Sequence, residues 1–159
     1  MSDLVPALTV AAAVSSALLT GVLFAFSTSV MPALATRPPA EAMAAMQAMN
    51  RSILNPLFGL LFAGSALLCL VVAVSAPFTG DVDGAGFRLA GGLLYVVGVT
   101  VETMAINVPM NDRLDAADPV SPDGQAVWAG FLARWTRWNH VRSLLGAMAA
   151  TLLAVSLAV

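Results

Sequence analysis

The chain has 159 residues, 59% of them hydrophobic and 10% charged, with a formal net charge of −2 at pH 7. Soluble domains carry about 25% charged residues, and so short a chain cannot bury so large an apolar majority in one core, so a water-soluble domain and a disordered chain are both excluded. All seven basic residues are Arg, with no basic patch for nucleic acid, and a single Cys (Cys69) with a single His (His140) makes neither an intramolecular disulfide nor a zinc cluster.

Four apolar runs follow one another, at about 6–30, 53–76, 87–107 and 141–159. Each is close to the roughly 20 residues that carry a helix across about 30 Å of hydrocarbon. No series of short alternating strands is present, so helices are the spanning element. The expectation is an all-α integral membrane protein: one domain over 1–159, a four-helix transmembrane bundle with short amphipathic helices in the 1–2 and 3–4 connections.

The first run ends near Ala33-Leu34-Ala35, which resembles a signal-peptide cleavage site. The leader Met1-Ser2-Asp3 has no basic residue and the run is longer than a signal h-region, so it reads as a retained helix. Pro38-Pro39 stops it. Residues 40–51 then form a short helix with Met43, Met46 and Met49 along one face. After the second run, in which Cys69 reads as a packing residue, the third carries Thr100, Glu102, Thr103 and Asn107. Asn107-Val108-Pro109 is expected to end that helix, because the residue before proline is pushed out of the α region.

Residues 115–124 read as a polar turn-rich loop. Residues 125–139 hold Trp128, Phe131, Leu132, Trp135 and Trp138, a pattern that suits an interfacial helix or a lid over the bundle. The Trp residues fit equally well in an aromatic belt. Asn139 stands where an N-cap for the fourth helix belongs.

Arginine placement gives the orientation. Arg37, Arg51, Arg113, Arg134, Arg137 and Arg142 fall in the 1–2 and 3–4 connections, whereas the opposite side has Arg88 beside Asp81 and Asp83. Those two connections are therefore expected in the cytoplasm and both termini outside, in a bacterial-type inner or plasma membrane. Gly91-Gly92 and Gly21 permit close helix contacts and hence a homo-oligomer.

The polar residues gather at one level. Asn50, Asn55, Asn107, Asn111 and Asn139 all fall at the cytoplasmic ends of the runs, and no other Asn occurs in the chain. Asp112, Arg51 and Arg142 join them. Amides near hydrocarbon need partners, and in a bundle these would converge. A binding site and a structural staple of capping and cross-linking amides are both consistent with that convergence. Glu102, inside the third run, is a candidate proton carrier by its position, or a snorkelling carboxylate near the helix end. His140 is a candidate general base, or an interfacial histidine.

Four stretches together resemble the anthrone oxygenase-like membrane proteins, a family of small four-helix proteins. They are residues 21–32 (GVLFAFSTSVMP), 46–51 (MQAMNR) with Asn55-Pro56, 103–112 (TMAINVPMND) and 135–142 (WTRWNHVR). The resemblance implies a monooxygenase that converts an anthrone to an anthraquinone with O₂, without metal, flavin or other cofactor. It also implies a site at Asn50, Asn107, Asn111, Trp138, Asn139 and Arg142. Glu102 lies outside that pattern.

The chemistry such a protein must perform assigns roles. An anthrone has an acidic C–H between two rings, and its anion reacts directly with O₂. His140 or Asp112 would take the proton, and Arg142 with Asn139 and the other amides would stabilise the oxyanion. Phe26, Trp135 and Trp138 would form an aromatic slot, with Asn50, Asn55, Asn107, Asn111 and Thr103 around it. The partners are then the lipid bilayer, an apolar aromatic small molecule and O₂. Two other classes fit the same residues: a non-catalytic quinone- or lipid-binding membrane protein, and a small dimeric transporter using Glu102.

Overall fold

The computed structural model describes residues 4–79 and 82–159; Met1-Ser2-Asp3, Gly80 and Asp81 lie outside them. Five helices account for nearly all the described residues, and no strand occurs among these. They are α1 (Leu4–Ala35), α2 (Pro39–Ile53), α3 (Pro56–Phe78), α4 (Asp83–Asp115) and α5 (Pro122–Val155). The starts follow from local chemistry. Pro39, Pro56 and Pro122 each sit in a first turn, where the missing N–H would have no intrahelical partner. Asn55 Oδ1 accepts from Phe58 N–H at 3.0 Å and Ser121 Oγ from Gly124 N–H at 2.9 Å, capping α3 and α5.

Helices α1, α3 and α4 are long and apolar enough to cross a membrane. Their large outward side chains, among them Leu18, Phe24, Leu60, Leu67, Val97 and Val101, are exposed and form the surface expected toward lipid. The expected fourth span differs. Residues 125–139 and 141–155 are one continuous helix, α5, and it is not among the three candidate spans. Asn139 is therefore not an N-cap but an interior residue of a 34-residue helix. The Trp-rich segment and the apolar segment share one axis because no Gly or Pro separates them. α1 and α4 each pack against both α3 and α5, so the four long helices close a ring.

Pro109 does not end α4 either. The chain passes from a π-helical stretch, Thr103–Asn107, into the α-helical turn Val108–Asp115. Val108 N–H reaches Thr103 carbonyl, five residues back, one position before the proline. α1 does the same at Phe26–Val30, where Met31 N–H reaches Phe26 carbonyl just before Pro32. A proline inside an α-helix lacks its N–H and its ring strikes the preceding turn. The wider i→i+5 loop accommodates it without breaking the helix.

Two cores result. Between the spans lie Ala12, Leu19, Leu23, Cys69, Val72, Tyr95, Val99, Ala149 and Leu153, with the Tyr95 and Ser65 hydroxyls joined at 2.7 Å. At the other level α2 lies across the end of the ring and packs Met43 and Met46 against Trp128, Phe131 and Trp135. Gln47, buried in α2, donates to the carbonyls of Leu114 and Ala117 at 2.9 Å each. The Leu114 carbonyl also accepts from Ala117 N–H at 3.2 Å, so Gln47 ties α2 to the last turn of α4 and to the turn that follows it.

The close approaches are made within one chain. A Cβ on Gly92 would stand 2.8 Å from Ala73 Cβ, and one on Gly91 3.0 Å from Ala149 carbonyl. Gly21 has nothing within 4 Å of such a Cβ. The Gly91-Gly92 pair expected to admit a second copy is thus occupied by α3 and α5.

Candidate functional site

Arg142 is 5% exposed and sits on the inner face of α5. A guanidinium this buried must have its donors satisfied. Nε and Nη2 donate to Asn139 Oδ1 at 2.9 and 2.8 Å, and Nη1 donates to Thr103 Oγ1 at 2.9 Å. The i, i+3 spacing of Asn139 and Arg142 puts both on one face. The guanidinium carbon lies 5.3 Å from the Trp135 ring centroid, within cation–π range.

Asn139 is fully buried and ties α5 to α1. Its Nδ2 donates to Leu23 carbonyl at 2.7 Å and to Ser27 Oγ at 2.6 Å. Ser27 belongs to the π-helical stretch of α1. In α4 the second such stretch brings Glu102 and Asn107 together. Five residues apart, they would point about 140° from each other on an α-helix. In the wider turn the Asn107 amide nitrogen, oriented as its neighbours require, donates to Glu102 Oε1 at 2.7 Å and Oε2 at 2.9 Å. Glu102 interacts electrostatically with Arg142 without touching it.

Beside this network is an apolar cavity with about 640 Å³ of empty space, counting its open mouth. All five helices contribute to it. Phe26 and Trp135, with ring centroids 6.0 Å apart, form one wall. Met46, Met49, Phe58 and Phe62 form others, and Leu54, 82% exposed, marks the mouth. Four polar residues face this space: Arg142, Thr103, Asn50 and Asn111. Asn50 Nδ2 and Asn111 Oδ1 are buried with no hydrogen-bond partner, one an idle donor and the other an idle acceptor. An apolar cleft with a few converging polar groups is the usual form of a small-molecule site.

The sequence-derived candidates separate on this geometry. Asn50, Asn111, Thr103, Phe26, Trp135 and Arg142 line the cavity, while Asn139 and Asn107 lie fully buried in the network beside it. Asn55 does not join them: it is exposed and occupied as the cap of α3, donating also to Ser52 carbonyl at 3.0 Å. Asp112 and His140 are exposed, Trp138 is half-buried, and none of the three lines the cavity. His140 follows Asn139 by one residue, about 100° around α5, which takes it off the buried face. Arg51 is outside the network, 3.9 Å from Asp115.

Sequence reasoning missed Ser27, Gln47 and the cavity walls Met46, Phe58 and Phe62. The prolines Pro32 and Pro109 inside apolar helices are the signal for the π-helical turns that hold Ser27 and Asn107; a further π-helical stretch, Val96–Val101, leads into Glu102 with no proline to mark it. The described residues hold no group of three or more His, Cys, Asp or Glu able to bind a metal ion.

Residues 46–152 match the family model described as anthrone oxygenase. No curated protein and no solved structure matches the chain.

Proposed function

Because the chain belongs to the anthrone oxygenase family, we propose that it oxidises an apolar anthrone-type aromatic with O₂ in the cavity beside Arg142. The observation that carries this reading is the pairing of an aromatic wall, Phe26 and Trp135 with their planes tilted by 59°, with Arg142 and two unpartnered amide groups on one cavity. The reaction turns a ring CH₂ into a carbonyl. Loss of one proton gives a carbanion whose charge is shared with the ring oxygen, and O₂ adds to the carbon as a hydroperoxide. Departure of water then takes the second hydrogen and one oxygen atom, leaving the other as the new ketone. One O₂ is consumed and one water released per ketone.

The residues divide the work. Phe26 and Trp135 pack against the substrate's rings. Arg142 stabilises the oxyanion from a site where its position is already fixed by Asn139 and Thr103, so little reorganisation is needed. Asn50 and Asn111 bond polar groups at the substrate's edge. Glu102, the buried carboxyl of the described residues, adjoins the lining residue Thr103 without lining the cavity itself; it takes the role of base through one intervening water, in place of the exposed His140 and Asp112. The same reading sets the C-terminal half of α5 across the bilayer as a fourth span, with the cavity at the cytoplasmic end and the termini outside.

The test is purified protein in neutral detergent with anthrone in air-saturated buffer. Anthraquinone formation above the protein-free rate, with one O₂ consumed per quinone, is expected; a rate equal to the spontaneous one contradicts the proposal. A second reading, non-catalytic binding of a quinone or similar aromatic, is favoured by one observation: Asn139 and Thr103 already engage Arg142. Saturable quenching of Trp fluorescence by a quinone, without turnover of anthrone, would mark it.

A further inference from the structure

A second cleft lies apart from the cavity, between the last turns of α4 and the first half of α5. It holds about 430 Å³ of empty space and is lined by Met110, Val127, Gly130 and Phe131 between two arginines, Arg113 and Arg134. Both arginines are exposed. Neither makes an ion pair within 4 Å; the salt bridge among the described residues is Arg51 to Asp115.

The setting is the end of a helix long and apolar enough to span a membrane. Arg113 belongs to the last turn of a helix apolar enough to span, where Asp112 and Asp115 also appear. Across the cleft, the half-buried Trp138 falls on the same half of α5 as Arg134, while Trp128 and Trp135 are buried against α2. Tryptophan and arginine at one level are the usual marks of the headgroup region. The cleft thus combines two cations with an apolar floor at the depth where a phospholipid phosphate meets its glycerol and acyl chains. Basic pockets between membrane helices bind anionic headgroups in this way.

We propose that this cleft is a binding site for an anionic phospholipid, its phosphate held between Arg113 and Arg134 and its upper acyl chain laid against Phe131 and Met110. Charge complementarity selects the occupant: a zwitterionic lipid brings its own cation to the same place, and a free phosphate makes no use of the apolar floor. Gly130 provides the room, because a Cβ built there meets nothing within 4 Å.

The experiment reads Trp fluorescence of the full chain in phosphatidylcholine bilayers as brominated phosphatidylglycerol replaces the host lipid. Two arginines near a surface correspond to about a thirtyfold preference for the anionic lipid. That preference is expected to fall to near unity in R113Q/R134Q. In Gly130→Leu, which keeps both charges and fills the cleft, it is expected to fall at least fivefold. Thermal melts report whether each variant is folded, and a single R134Q variant, expected to show an intermediate preference, serves if the double variant is not. Equal quenching by brominated phosphatidylcholine overturns the proposal. So does competition by millimolar inorganic phosphate alone. A preference untouched by Gly130→Leu overturns it as well, since it would reduce the effect to diffuse surface charge.

Discussion

Asn139 accepts two hydrogen bonds from Arg142 on one oxygen, at 2.9 and 2.8 Å, while its nitrogen holds Leu23 and Ser27 across the interface with α1. One amide therefore fixes both the guanidinium and the helix that faces it. Replacing Asn139 with Ala leaves Arg142, Leu23 carbonyl and Ser27 short of partners in a buried place. The cost is expected to be about 3 kcal/mol, with Ser27→Ala costing about 1 kcal/mol. Thermal or denaturant unfolding in detergent checks both, and the order of the two effects is the informative part.

Asn50 and Asn111 are expected to behave in the opposite way. Their idle groups, Nδ2 and Oδ1, already lie unpaired in the fold. Truncating either to Ala removes a desolvated polar group, so unfolding should show stability unchanged or raised by about 1 kcal/mol. A loss of 2 kcal/mol or more would mean that these amides are staples rather than ligands.

The line between site and staple is also where the sequence was most and least informative. Four apolar runs and the gathering of Asn and Arg at one level are readable because each apolar stretch is long and each polar exception is rare. Asn139 as a helix interior residue was not readable. A polar residue before an apolar run looks like a cap, although no Gly or Pro there breaks α5, which runs through it from Pro122 to Val155. Asn55 illustrates the converse: the same residue type at the same level is a cap. The Glu102–Asn107 contact is not legible from a 3.6-residue period, which points residues five apart about 140° from each other; the π-helical turn before Pro109 changes that period.

Pro109→Ala tests that turn. With an N–H restored, ordinary i→i+4 bonding becomes available and the wide loop is no longer favoured. The variant is expected to melt at or above the wild-type temperature. Anthrone oxidation should nevertheless fall at least tenfold, because Glu102 and Asn107 would separate. A wild-type rate would show that the Glu102–Asn107 contact is dispensable.

Gly92→Ala tests the ring of helices. Its Cβ would press on Ala73 of α3, where both partners are backbone-close and neither can swing away. Overpacking of this kind costs about 1–3 kcal/mol. Gly21→Ala, with nothing within 4 Å, is the control and is expected to leave the melting temperature unchanged.

The most direct measurement is the rate of anthrone oxidation by Arg142→Gln against wild type, at equal amounts of folded protein and with the spontaneous rate subtracted. Loss of one preorganised oxyanion donor typically lowers turnover by about 10²–10³. A fall of at least a hundredfold is expected, with a folded variant confirmed by its melt. A folded Arg142→Gln protein that oxidises anthrone at the wild-type rate would contradict that expectation.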